Sequence, residues 1–342
     1  MPKYKFGDVV REVKVNIDRN NNPYEYYIAG EHMDTNELHL QRRGTFEGSD
    51  VGPAFIRLFK PGQILYGSRR TYLRKVAVAD FEGITSNTTF VLESKDETKL
   101  CQRLLPFIML SDAFTQYSIS KSKGSTNPYI LFSDLSEYEL NLPEIEQQRA
   151  LADVLWALDS TKKAYRNLII ATDELVKSQF IEVSQEANCT KKLTEISRPR
   201  QWPTIATQHF TAEGFPVYGA NGKIGYYSEY NHEYPTILIA CRGATCGSIN
   251  ISEPKSYING NAMCLDDVDE TINLTYLEYA LRTRDFSDVI TGSAQPQITA
   301  TSLEKVEILI PSAASQTAFA AFVKQSDKSK FSVQIAIYRD VW

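Results

Sequence analysis

Apolar residues in this chain follow two periods that alternate twice. From 60 to 92, and again from 235 to 265, β-branched and aromatic residues cluster in short runs broken by Gly, Asn and Pro, the pattern of short strands joined by turns. Each stretch leads into a helical segment, roughly 99–118 and 275–290. Then come the element Gly-Ser-x-x-Pro-x-Ile, a polar stretch ending at Leu135 or Leu303, one more strand, and Pro143 or Pro311. Beyond each proline the spacing changes to alternating fours and threes. Leu151, Leu155, Leu158, Lys162, Tyr165, Ile169, Thr172, Val176 and Gln179 fall on one seam of a helix, and Phe319, Val323, Ser326, Lys330, Val333 and Ile337 keep the register. Neither run contains Gly or Pro, so the first predicts a helix from Glu144 to about Ile181, on the order of 55 Å long at about 1.5 Å per residue. Matched registers with polar interruptions at Lys162 and Thr172 predict an antiparallel helix pair; the alternative is that each seam packs on its own domain.

The two periods belong to one module written twice. Gly124, Ser125, Pro128, Ile130, Leu135, Glu139, Pro143, Gln148, Ala150, Ala152, Asp159 and Lys162 meet identical residues at a constant offset of 168, from Gly292 to Lys330. The strand stretches align only loosely, Arg69 with Arg242 and Asn87 near Asn261. Duplication implies one task performed at two related places on a partner. The predicted fold is α+β: two strand-rich domains in pseudo-two-fold arrangement, separated by an antiparallel pair of long helices. Boundaries fall at 1–143, 144–186 (central helix), 187–311 and 312–342 (C-terminal helix).

Length and composition agree with this division. A chain of 342 residues holds two domains of ordinary size, and 42% hydrophobic with 23% charged residues is the composition of a globular protein. No apolar run is long enough for a membrane span, and the N-terminus has no signal-type segment, so a cytoplasmic location is expected. Cys101, Cys189, Cys241, Cys246 and Cys264 form no CxxC pair and are expected to stay reduced; His32, His39, His209 and His232 form no tightly spaced ligand cluster, so no metal is expected. The net charge of −5 argues against coating nucleic acid by bulk attraction, and leaves local basic patches open.

No catalytic constellation emerges. Asn22-Pro23-Tyr24 and Asn127-Pro128-Tyr129 lack the second proline of an amino-methyltransferase motif, and no glycine-rich turn offers a place for S-adenosylmethionine. Asp80 with Glu97-x-Lys99 could suggest a nuclease, but Glu97 stands in a solvated run, and Cys241 and Cys246 sit in an apolar strand context. Donors suited to base edges and phosphates concentrate instead at the turns. Arg69, Arg70, Arg74 and Lys75 crowd one hairpin, Lys121 and Lys123 precede Gly124, and Ser125 and Asn127 lie in the repeated element. In the second half stand Asn221, Lys223, Tyr227, Arg242 and Asn261, with Ser293, Gln295 and Gln297 around Pro296. Arg pairs with guanine, Asn or Gln with adenine, and Lys with phosphate; the alternative for each residue is an ordinary solvated loop.

The doubled Gly-Ser-x-x-Pro-x-Ile element, Leu142 to Arg149 (Leu-Pro-x-x-x-x-Gln-Gln-Arg) and Phe215 to Tyr227 resemble the specificity subunit of type I restriction-modification systems over nearly the whole chain. The resemblance implies a non-catalytic subunit with two target-recognition domains, each reading one half of a bipartite double-stranded DNA sequence. It also implies two methyltransferase subunits, which hold the S-adenosylmethionine, and a restriction subunit. Gln147, Gln148, Arg149 and Gln316 are then expected to contact partners. The resemblance departs where Ala313-Ala314-Ser315 replaces Ile145-Glu146-Gln147 and where the C-terminal helix stops at the counterpart of Glu174. Weakened recruitment, an inactive remnant, or self-association through the helices are the expectations there. Helices of about 45 to 55 Å would separate the half-sites by roughly 13 to 16 base pairs if they run along the duplex. Two readings remain beside it: an interaction protein using only the helices, and a nuclease using Asp80, Glu97 and Lys99.

Overall fold

The computed structural model describes residues 2–18, 21–292 and 295–339. It is mixed α and β, and it divides into two compact units, Met1–Thr161 and Lys162–Trp342. The division falls inside the central helix and not at its ends. Among the described residues no helix is long and apolar enough to cross a membrane.

In the first unit, Lys3–Lys5 pairs antiparallel with Glu139–Asn141, tying the chain start to the strand that precedes the central helix. One four-stranded sheet runs in the order Val10–Glu12, Thr89–Ser94, Ile64–Gly67, Val76–Val78; a second runs Gly44–Thr45, Tyr26–Ile28, Gly83–Ser86, Phe55–Phe59. The strand at 64–67 reads as a continuous apolar run because both of its faces are covered. Ile64 and Tyr66 point into one core with Phe6, Leu105 and Phe114, and Leu65 points into another with Ile28 and Phe59. Where one helix is expected over 99–118, two form, Leu105–Leu110 and Asp112–Lys121. Ser111 breaks them: its backbone is extended, and its hydroxyl accepts from Phe114 N as an N-cap.

The second unit repeats the plan. Cys189–Lys192 pairs antiparallel with Glu307–Ile310, and a sheet runs Arg198–Arg200, Ala262–Asp266, Ile237–Ala240, Ile249–Ile251. Again one strand serves two cores, Ile237 and Ile239 on one side and Leu238 on the other. A smaller sheet, Gly222–Tyr227, Phe215–Gly219, Tyr257–Ile258, carries a hairpin. The expected helix at 275–290 ends early, as Leu274–Thr283, capped at its start by the Asn273 side chain.

The central helix spans Ile145–Gln185 and the C-terminal helix Ala313–Arg339. Within the second unit the far part of the central helix runs antiparallel to the C-terminal helix. Ser315 Oγ donates to Glu186 Oε2 at 2.9 Å, Phe180 packs on Phe319 at 5.7 Å between ring centroids, and Lys330 Nζ meets Asp173 Oδ1 at 2.8 Å. The described contacts of this seam run from Glu186 with Ser315 to Asp173 with Lys330. Leu151 and Leu158 are exposed, while Ala152, Leu155 and Trp156 face the first unit. Val333 and Ile337 have side chains outside those described.

Gln148 and Gln316 show what the shared Pro-x-x-x-x-Gln element does. Gln148 Nε2 donates to the Pro143 and Lys99 carbonyls, and its Oε1 accepts from Cys101 N at 3.0 Å; Gln316 Nε2 donates to Pro311 O, and its Oε1 accepts from Asn273 N at 2.8 Å. Both are 1% exposed. The expectation that these two contact partner subunits is therefore corrected: each buried amide ties a helix start to its own domain through buried and part-buried backbone groups. Gln147 and Arg149 remain on the surface, Arg149 paired with Glu146.

One corresponding surface differs between the units. In the second, Tyr276, Phe319 and Val323 form a buried cluster with Val176, Phe180 and Val183 from the central helix. In the first, the matching positions Leu104, Leu151 and Leu155, with Phe107, Ile108 and Leu140, line an open apolar groove of about 470 Å³.

Candidate nucleic-acid interface

In each unit three distant stretches meet at one joint, and the Gly-Ser-x-x-Pro-x-Ile loop is its clamp. In the first unit Lys123 and Tyr129 exchange both backbone hydrogen bonds, at 2.8 and 2.9 Å, closing the loop between them. Gly124 takes φ +87°, in the left-handed region that favours glycine. The closed loop docks on the end of the strand Ile64–Gly67: Ile130 N donates to Ser68 O at 2.9 Å and Arg70 N to Pro128 O at 2.6 Å. The β-turn at 87–88 closes the third side, with Ser68 N donating to Thr88 O at 3.2 Å.

The second unit builds the same joint from other side chains. Thr291 and Gln297 exchange backbone bonds at 2.9 and 2.8 Å, Gly292 takes φ +85°, Ile298 N donates to Cys241 O at 3.0 Å, and Gly243 N donates to Pro296 O at 3.1 Å. The turn at 260–261 again closes the joint: the Cys241 thiol donates to Asn261 O at 3.3 Å, and Gln201 Nε2 to Gly260 O at 3.0 Å. Ser68 with Cys241, and Arg69 with Arg242, are thus equivalent points.

At the first joint Arg69 and Arg70 are exposed, Arg70 Nε donates to Asn127 Oδ1 at 3.2 Å, and Arg69 has no side-chain partner among the described residues. A cleft of about 350 Å³ is lined by Arg69, Arg70, Lys75 and Asn127, with Glu31 as its acidic member. Ser125 lies exposed on the loop and Lys121 at the end of the preceding helix, its ammonium 5.8 Å from the Tyr117 ring. Lys123 is half engaged: it pairs with Asp134 at 2.9 Å and, ahead of burial, holds that carboxyl below its ordinary value. Lys75 reaches the Gly30 carbonyl. Arg74 is a correction. Its guanidinium turns to the Leu110 carbonyl and pairs with Asp112 at 2.7 Å, so it is engaged in capping the end of the helix Leu105–Leu110.

At the second joint Arg242, Gln295, Gln297 and Asn261 are exposed, and Arg242 has no side-chain partner among the described residues. Asn221, at the tip of the hairpin, accepts from Thr245 Oγ1 at 2.6 Å, which brings that tip beside the turn following Arg242. Lys223 lies over the Tyr226 ring at 4.4 Å and 3.8 Å from Glu253, and the Tyr226 hydroxyl and Glu253 hold its ammonium above its ordinary value. Tyr227 packs edge-on against Tyr257. Ser293 lies outside the described residues.

Two features escape a reading of the sequence. Thr88 and Gln201 join these clusters through long-range pairing that leaves no local signal. Strand pairing also brings His232 to Cys264 and Asp266, with one potential ligand atom of each within 4.8 Å of the others, where spacing along the chain predicts no metal-type cluster.

A family model described as the type I restriction modification DNA specificity domain matches residues 4–171 and 185–336. The chain is similar to the specificity subunit of the type I restriction enzyme EcoprrI of Escherichia coli, 27% identical over 147 residues, which are 40% of this chain and 35% of that one. It is also similar to the HindI specificity subunit of Haemophilus influenzae, 25% identical over 183 residues, 52% of this chain and 39% of the other. The matched stretches thus span well under half the length of these curated relatives. Its fold is similar to that of the S subunit of a type I restriction-modification system from M. genitalium (TM-score 0.64, 16% identity, 99% of this chain and 92% of the other). It also matches a structure solved for complex assembly and conformational transition of the type I R-M system (TM-score 0.56, 17% identity, 99% and 92%).

Proposed function

This chain belongs to the type I restriction-modification DNA specificity family, and from that premise we propose that it is a non-catalytic subunit that reads a bipartite double-stranded DNA target. The observation that carries the reading is the doubled joint. One backbone clamp, Ile130 to Ser68 and Ile298 to Cys241, presents two different sets of side chains: Arg69, Arg70 and Asn127 at one, Arg242, Gln297 and Asn261 at the other. Constant clamps with divergent donors suit two unlike half-sites separated by unread base pairs, since direct readout depends on which donors reach the base edges.

Partner subunits follow on the same reading. Two methyltransferase subunits, supplying S-adenosylmethionine, and a restriction subunit would assemble on the helices. The exposed apolar residues Leu151, Val154 and Leu158 and the neighbouring groove support this, because exposed apolar surface of that kind is a docking surface. Sequencing the methylome of a host that expresses this chain with its methyltransferase tests both halves of the reading. Two short half-sites with a fixed gap are expected; a single continuous motif, or no new methylation, overturns it.

A further inference from the structure

In the second unit, a loop leading to the strand Ile237–Ala240 lays His232 against the strand Ala262–Asp266, on which Cys264 and Asp266, two residues apart, share one face. Asp266 Oδ1 is 2.9 Å from His232 Nε2 and 3.1 Å from Cys264 Sγ. The neighbour Asn231 determines which ring nitrogen of His232 bears hydrogen. Asn231 Oδ1 accepts from Ile258 N at 2.7 Å and its Nδ2 donates to Ile258 O at 3.1 Å, so the amide has one orientation. His232 Nδ1 lies 2.7 Å from that same oxygen and must therefore be an N–H donor. Nε2 then faces the carboxylate oxygen at 2.9 Å, a position that either a proton or a metal ion can occupy.

We propose that His232, Cys264 and Asp266 bind a divalent transition-metal ion of the Zn²⁺ class. Imidazole, thiolate and carboxylate are the borderline-soft donors this ion takes. Bond lengths of about 2.0 to 2.3 Å would set tetrahedral separations a few tenths of an ångström wider than the 2.9 and 3.1 Å from Asp266 Oδ1 to the other two donors. Outer contacts of the required kind are already in place: Asn231 orients the imidazole, and Trp202 Nε1 donates to Asp266 Oδ2 at 3.0 Å, turning Oδ1 toward the other two donors. Cys264 is buried, while His232 and Asp266 border a cleft of about 630 Å³ that provides an entry path and an open fourth position. The competing occupant of the Nε2 face is a proton, making an imidazolium–carboxylate pair with the thiol on the same oxygen. Binding an ion would convert the Cys264 thiol to a thiolate and release its proton.

The test is a Co²⁺ titration of the full, chelator-stripped chain, followed by thiolate-to-cobalt charge-transfer absorption. One equivalent should develop the band, and Zn²⁺ should abolish it. Cys264→Ser should remove it while Cys189→Ser leaves it intact, with circular dichroism confirming that both variants are folded. Trp202→Phe, which keeps all three ligands, should weaken Co²⁺ binding about tenfold. No band in the folded wild-type chain, or a band that survives Cys264→Ser, overturns the proposal and leaves the proton as occupant.

Discussion

Gln148 Oε1 accepts from the backbone N–H of Cys101 at 3.0 Å across 47 residues of sequence, tying the start of the central helix to its domain. The same amide satisfies the Pro143 and Lys99 carbonyls. Gln148→Ala leaves the buried Cys101 N–H and the part-buried Pro143 and Lys99 carbonyls without this partner, and a buried group left unpaired costs about 1 to 3 kcal/mol. Urea unfolding of the full chain is expected to show a loss of roughly 2 to 4 kcal/mol in the first unit. A change under about 0.5 kcal/mol would mean that water replaces the side chain.

The two loop glycines should differ in their tolerance of a methyl group. A Cβ on Gly292 would sit 2.5 Å from the Gln295 carbonyl oxygen, whereas one on Gly124 meets only Asn127 O at 4.0 Å. Gly124→Ala therefore carries only the left-handed conformational cost, on the order of 1 kcal/mol. Gly292→Ala adds a backbone collision and is expected to lower the melting temperature further. Equal shifts would show that the second loop rearranges without penalty.

Arg69 and Arg242 occupy equivalent points but should govern different half-sites. Arg69→Ala is expected to relax the methylated motif in one half only and Arg242→Ala in the other, each by about 1 to 3 kcal/mol of base discrimination. Arg74→Ala should lower stability without altering the motif, since its guanidinium serves the helix end. Methylome sequencing of the three variants separates these outcomes; a motif changed by Arg74→Ala but not by Arg69→Ala would refute the assignment.

Lys330 contributes stability with a defined pH dependence. Burial alone would lower its ammonium, and the hydrogen-bonded Asp173 and Asp327 carboxylates overcome this and raise it above the ordinary 10.5. A folded value above the unfolded one means the contribution is complete below 10.5 and disappears as pH rises through the folded value. Asp173→Asn should cost about 1 kcal/mol at neutral pH, with the difference from wild type constant from pH 7 to 9 and shrinking in strong alkali. A difference that shrinks already between pH 7 and 9 would place the coupling elsewhere.

The acidic chain should bind DNA weakly by itself. With a net charge of −5 and a handful of exposed donors at each joint, affinity in isolation is expected to fall steeply between about 50 and 200 mM salt and to rise sharply once methyltransferase subunits add phosphate contacts. Fluorescence anisotropy with a duplex carrying the methylated motif measures both. Tight binding by the isolated chain at physiological salt would contradict this.

Much of this protein is written locally. The offset between Gly124 and Gly292, the change of period after Pro143 and Pro311, and the positions of Arg69 and Arg242 at strand ends are all properties of neighbours along the chain. Backbone preferences and side-chain periodicity act over a few residues, so they survive in the sequence and identify both units and both long helices. Tertiary structure decided the direction in which side chains point and the partners they meet. Gln148 and Gln316 turn inward, where each amide meets backbone carbonyl and N–H groups of its own domain. Arg74 turns inward because a helix end lies within reach, and Leu151 and Leu158 turn outward because Ala152 and Trp156 on the same helix pack against the first unit. His232 meets Cys264 and Asp266 across 32 residues or more because strand pairing brings them together. Such contacts depend on which strands pair and how each helix is rotated, and no local period encodes either.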